Sequence, residues 1–225
     1  IPAGENAFNI SNPDLQPQTS TGIEVGVYQR LPLWAGSFAE LDVTIYRLRV
    51  DDEIDFDLST FKYGNIQESR HDGLELSLSA TLSRWLALQH SSNFMRVVFR
   101  SGELEGNRLK NIPRSALVTA LILSAVPALR LTMTHRYAGS LYLDDENTHE
   151  IPGYHTFGAQ ADWSLGGSTI FLSVNNLFDT RASSLGFLSF DPVTGAQVPF
   201  VYPIGGRSVR VGISVSSSWA GAAGR

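Results

Sequence analysis

From Arg207 to Trp219 the chain reads R-S-V-R-V-G-I-S-V-S-S-S-W, with a period of two running through it. Val209, Val211, Ile213, Val215 and Trp219 share one parity, and Arg210, Gly212, Ser214, Ser216 and Ser218 share the other. Successive side chains of a strand point to opposite faces. The segment therefore predicts a strand with one apolar face and one small, polar face. A half-buried strand of a soluble sheet has the same pattern. Two features favour a transmembrane β-barrel instead: the alternation recurs along the chain, and an aromatic residue closes this strand. Such barrels show lipid an apolar band, keep a polar lumen and carry aromatic girdles at both interfaces.

Averaged hydropathy hides a face of this kind, because only every second residue is apolar. Mean hydropathy is -0.04, a value that alone describes a soluble protein. The longest apolar stretch, 116–131, is interrupted by Thr119, Ser124, Pro127 and Arg130. A helical span needs about 20 apolar residues, so a hairpin turning at Val126-Pro127-Ala128 is predicted there. The chain has no cysteine, which excludes disulfides, thiolate metal sites and cysteine nucleophiles. A net charge of -5 argues against a nucleic-acid partner. The opening I-P-A-G-E-N-A-F-N has no basic segment followed by an apolar one, so no signal peptide is expected in this stretch. An exported barrel needs one, and the chain accordingly reads as the C-terminal fragment of something longer.

Nine long strands are predicted, at about 19–31, 37–50, 66–82, 85–100, on either side of Pro127, and at 154–165, 168–178 and 207–219. Leu41, Val43 and Ile45 oppose Glu40, Asp42 and Thr44; Leu74, Leu76 and Leu78 oppose Glu75, Ser77 and Ser79; Phe157, Ala159, Ala161 and Trp163 are expected to face outward. The connections alternate. Short ones fall near 31–36, 83–84, 126–128 and 166–167, and long ones at 51–65, 101–113, 143–153 and 179–206. Outer-membrane barrels alternate short periplasmic turns with longer extracellular loops in this way. A soluble β-sandwich would give shorter strands at 8–12-residue spacing. Because single-chain bacterial barrels use even strand numbers, nine strands predict an open antiparallel up-and-down meander, all-β, with free edges at the first and last strands.

Several segments resemble TonB-dependent outer-membrane receptors. Asn12-Pro13-Asp14-Leu15-Gln16-Pro17-Gln18-Thr19-Ser20, followed by Glu24-Val25-Gly26, is similar to the family's N-P-x-L-x-P-E-x-S…E-x-G lead into a late barrel strand, with Gln18 where Glu is usual. Asn65 with Arg70-His71-Asp72-Gly73-Leu74-Glu75-Leu76 resembles its N…R-x-x-G-x-E-L strand start. Val174-Asn175-Asn176-Leu177-Phe178-Asp179 resembles V-x-N-L-F-D, and Gly206-Arg207-Ser208 resembles the start of its closing strand. Asn111-Ile112-Pro113-Arg114 and Ile151-Pro152-Gly153-Tyr154 are similar to its returns from loop to strand. The resemblance implies that residues 1–219 are the C-terminal part of a 22-stranded barrel of the plugged kind, in the bacterial cell outer membrane. The plug domain belongs to the family's N-terminal part and is expected outside this chain. Residues 220–225, small and flexible, follow Trp219 where family barrels commonly end.

The resemblance further implies energised uptake of a scarce ligand such as a ferric siderophore. The implied partners are outer-membrane lipid, the protein's own plug and remaining barrel strands, TonB acting through the plug, and the ferric ligand. A passive porin-like channel and a soluble β-sandwich binding module are the alternatives. No enzymatic motif of the G-x-S-x-G, H-E-x-x-H or P-loop type occurs, so no catalytic residue and no cofactor are expected.

The candidate ligand-binding residues are His149, His155 and Arg210. The two histidines lie six apart around Pro152-Gly153, and imidazole suits iron; the plainer reading is two loop histidines at a strand mouth. Arg210 shares the predicted lumen parity with Glu24, Glu75, Gln160, Asp162, Asn175 and Ser214. Asp51, Asp52, Glu53, Asp55 and Asp57 form the densest acidic run. It lacks the spacing and glycine of a Ca²⁺ loop and reads as a solvated loop, so no metal site is expected.

Overall fold

The computed structural model describes residues 12–34, 36–57, 62–66, 68–191 and 193–215. Trp219 and the 220–225 tail lie outside the described residues, and so does the aromatic closure expected of the last strand. The described strands are β1 (Thr19–Pro32), β2 (Phe38–Asp51), β3 (Ile54–Asp57), β4 (Lys62–Asn65), β5 (Ser69–Ser83), β6 (Leu86–Phe99), β7 (Ser115–Val126), β8 (Leu129–Ala138), β9 (Leu141–Tyr142), β10 (Glu150–Ile151), β11 (Tyr154–Leu165), β12 (Ser168–Asn175), β13 (Ser183–Phe190), β14 (Gln197–Pro203) and β15 (Ser208–Val215). Nine of them form one sheet in the order β1-β2-β5-β6-β7-β8-β11-β12-β15. Each long strand pairs antiparallel with the next long strand, so the sheet is the expected up-and-down meander, with β1 and β15 as its edges.

Directly paired residues share a face, and the register sorts the sheet into two surfaces. Val25, Ile45, Leu74 and Phe94 form one row across β1, β2, β5 and β6. Leu86, Leu123, Leu131, Ala161, Leu172 and Val211 form another from β6 through β7, β8, β11 and β12 to β15. The opposite surface carries rows such as Arg30, Glu40, Ser79 and Gln89 and Thr132, Gln160, Ser173 and Arg210. Val211 and Val215 are each 71% exposed. A sandwich would lay a second sheet against this face, yet the three other sheets have two strands each. An apolar surface this broad, uncovered among the described residues, is the kind of face that a membrane or a partner covers.

Side chains on the polar face fill gaps left by glycine. Gly73 stands opposite Tyr46 and Gly212 opposite Phe171, and a Cβ at either glycine would enter the partner's ring. The turns obey local chemistry. Gly166 has φ 61° in the hairpin between β11 and β12. Ala128 has φ 63° directly after Pro127, as the second central residue of a type II turn does.

Three boundaries differ from the sequence reading. A bulge between Thr81 and Ser83 moves the predicted turn at 83–84 to Arg84-Trp85. β5 begins at Ser69 rather than Ile66, because Ile66 bonds through its N–H to Glu53 O at 2.7 Å and packs beneath a loop. β12 ends at Asn175, three residues early, since Asn176 turns at φ 48° and its side chain holds Thr180 and Gly205. The long connections are also more than loops: three carry their own hairpins, β3–β4, β9–β10 and β13–β14. The last stacks Phe187 on Phe200 at 5.7 Å. Pro199 and Pro203 argue against a strand there, but a two-stranded ribbon is all edge and tolerates proline.

Candidate functional site

The long connections gather at one end of the sheet and bind one another. Backbone bonds fold residues 107–114 onto β6: Leu109 N–H donates to Val97 O at 3.2 Å and Phe99 N–H to Asn107 O at 3.0 Å. Val97, Phe99 and Leu109 are buried there, with Ile66, Met95, Leu104 and Ile112 against them. This small apolar cluster roots the loop layer on the sheet.

Polar contacts then link all four connections. Lys110 Nζ donates to Asp145 at 2.7 Å and to Asp55. Asn147 exchanges two bonds of 2.7 Å with the backbone of Arg108. Asn111 Oδ1 accepts from Gly186 N–H at 3.1 Å, tying in the hairpin before β15. Burial alone would lower the Lys110 ammonium, but the bonds and charges of Asp145 and Asp55 outweigh it and raise its pKa. A cavity of about 440 Å³ opens within the layer, lined by Asp55, Lys110, Asp144, Asp145 and Phe187 among others.

His149 belongs to this layer. Its Nδ1 lies 2.9 Å from Asp144 Oδ2, and Asp144 also accepts from Thr148 N–H and Oγ1 at 2.7 and 2.6 Å. Burial would raise the Asp144 carboxyl; the Thr148 and His149 contacts prevail and hold it below its ordinary value. His155 has other neighbours. It pairs with Tyr137 across β8, its Nδ1 lies 2.8 Å from His135 Nε2, and its ring lies against Tyr137 at 4.5 Å. His155 therefore shares the apolar face with Phe157, as its parity demands, and the two candidate histidines turn to separate partners. Arg210 lies exposed on the polar face, paired with Ser173.

The acidic run at 51–57 is divided among partners. Asp51 takes Arg49 at 3.3 Å, Asp55 takes Lys110, and Glu53 accepts from Ser69 and lies 3.2 Å from His71. For Glu53 burial acts upward, but the His71 and Ser69 bonds hold its pKa low. Among the described residues no group of three or more His, Cys, Asp or Glu side chains could hold a metal ion.

On the polar face a cavity of about 490 Å³ is lined by Ser91, Asn93, Arg136, Tyr154, Thr156 and Asn175, with others. Asn93 Oδ1 and Asn175 Nδ2 are buried without a hydrogen-bond partner among the described residues. Buried polar atoms ordinarily have partners, and both of these atoms belong to residues that line the cavity of the polar face. The loop layer was not singled out by residue pattern, because its contacts join residues 35 to 75 apart in the chain.

A meander of long strands, apolar on one side and polar on the other, with all long connections at one end, defines a segment of outer-membrane β-barrel wall. A family model for TonB-dependent receptor-like β-barrels matches residues 2–177. The chain belongs to that family, whose members lie in the bacterial outer membrane. It is 23% identical over 205 residues to a protein of Acinetobacter baumannii named a probable TonB-dependent siderophore receptor, PiuA, covering 83% of this chain and 27% of that protein. It is 28% identical over 177 residues to the ferrioxamine receptor of Yersinia enterocolitica, covering 74% and 24%. The solved structure of the copper transporter OprC superposes with a TM-score of 0.70 at 18% identity, covering 94% of this chain and 32% of OprC. The chain thus spans about a quarter of the length of the curated relatives it matches.

Proposed function

We propose that residues 1–219 form the C-terminal part of the wall of a 22-stranded TonB-dependent receptor that takes up a scarce ligand, such as a ferric siderophore, with energy passed through TonB. The observation that carries the reading is the loop layer. Four connections bound to one another by Lys110, Asn111 and Asn147 make a preorganised mouth, which suits capture of a dilute ligand better than free passage. The family membership and the two siderophore-receptor relatives support the same class. In this reading the polar face receives the receptor's plug domain, and the apolar face meets outer-membrane lipid.

His149 in the loop layer and Arg210 on the polar wall are the ligand-facing candidates. His155, on the apolar face, contributes to the wall instead. The reading contains no catalytic step, and the receptor nature of the family supports that. The test is uptake of an iron-55 siderophore by cells carrying the full-length gene, with and without TonB. Uptake that requires both is expected. Uptake that persists without TonB would replace the reading by a passive channel.

A further inference from the structure

The apolar face ends abruptly beside β1, β2, β5 and β6. The row Val25, Ile45, Leu74, Phe94 is wholly apolar. One pleat nearer the loops, about 7 Å along the strands, the row is Ile23, Arg47, Asp72, Arg96. A cavity of about 670 Å³ spans this border. Its walls combine those apolar side chains with four guanidiniums, of Arg47, Arg96, Arg108 and Arg114, against the single carboxylate of Asp72.

That carboxylate is already committed, to Arg47 at 2.6 Å and to Arg70 at 2.9 Å. Arg114 is paired with Glu150 at 3.0 Å. Arg108 donates to Met95 O at 2.8 Å and forms no ion pair with a carboxylate among the described residues. Arg96 is exposed and makes no hydrogen bond or ion pair among the described residues. Burial lowers the Arg108 pKa first, and the charges of Arg114 and Arg96 lower it further. The cluster is short of negative charge, on the face that meets lipid, at the loop end of the strands.

We propose that this border is a binding site for a phosphate-bearing lipid of the outer leaflet. Its acyl chains lie on Val25, Ile45, Leu74 and Phe94, and its phosphate is held by Arg96 and Arg108. Arginine suits that task because its planar fork matches phosphate oxygens in pairs. A free anion would use the guanidiniums and leave the apolar floor unused. A neutral lipid would use the floor and leave the guanidiniums repelling one another. The chemistry of both halves is satisfied by one amphiphile. The inference rests on the outer-membrane placement of the wall and is independent of which ligand the receptor carries.

The test uses the full-length protein, folded and purified in a neutral detergent, with correct folding checked by heat-modifiable gel mobility. Native mass spectrometry then counts adducts of dioleoyl phosphatidic acid, dioleoyl phosphatidylcholine and inorganic phosphate. Preferential retention of phosphatidic acid is expected. Arg96→Gln removes a side chain without protein partners, so folding is retained, and it should weaken phosphatidic acid binding by about tenfold, the effect of losing one charge-assisted contact. Arg30→Gln, on the opposite face, should leave binding unchanged. Equal retention of phosphatidylcholine, binding of inorganic phosphate as tight as that of the lipid, or an Arg96→Gln protein that binds like the parent would each overturn the assignment.

Discussion

Val211→Arg tests the assignment of the two faces most directly. Val211 sits in the apolar row with Leu172 as its partner and is 71% exposed. Its depth follows from the strand. Arg207, four residues nearer the loops, is anchored at the loop border, where its N–H donates to Asp179 at 2.9 Å. Four residues span about 13 Å along a strand. A tilt near 40° reduces that to about 10 Å of depth, close to the midplane of an apolar band about 25 Å tall. An arginine at that depth costs about 2–4 kcal/mol. Ser214→Arg places the same charge on the polar face of the same strand, and its cost should stay below about 1 kcal/mol. The assay is guanidinium unfolding of the full-length protein from phospholipid vesicles, followed by tryptophan fluorescence. A Val211→Arg cost below about 0.5 kcal/mol, or one equal to that of Ser214→Arg, would refute the facing argument.

Three further predictions use the same preparation. Gly73→Leu drives a side chain into the Tyr46 ring and should cost about 1–3 kcal/mol, as overpacking does; Tyr46→Ala in the same protein should recover part of the loss. Ala128→Gly relieves a left-handed backbone at the turn and should stabilise by about 0.5–1 kcal/mol in the same titration. The loop layer should have two pH limits, read by hydrogen exchange of residues 101–113 and 143–153. Asp144 is held below its ordinary value, so its stabilisation is complete above pH about 4 and is lost as pH falls through the folded value. Lys110 is held above its ordinary value, so its stabilisation is complete below pH about 10 and is lost as pH rises through the folded value. Protection from exchange, relative to the intrinsic rate at each pH, that stays flat from pH 3 to 11 would remove both groups from the account.

Parity was the legible part of this chain, because alternation is a local property and lipid enforces it on every strand. Leu74, Leu76 and Leu78 declare one face without reference to any neighbour, and the register then places Ile45 and Phe94 beside them. The same rule, applied without exception, also puts His155 with Phe157 on the apolar face. His149, in the loop before β10, bonds Asp144 instead, so the two histidines six apart in the chain have different neighbours. The bulge at Thr81/Ser83 escaped because a single inserted residue changes no composition. The loop layer was illegible for a different reason. Lys110 reaches Asp145 and Asp55, and Asn111 reaches Gly186, across separations that no local pattern records. The wall answers to its solvents and is written residue by residue, whereas the mouth answers to contacts between distant segments. Asp55, read with the 51–57 run as solvated loop, joins Asp145 on Lys110 and helps to hold the loop layer in one shape. On the proposed receptor reading, ligand specificity depends on how those segments are tied as well as on which side chains they display. Lys110→Met, which touches no candidate ligand residue, should therefore alter capture as well as stability.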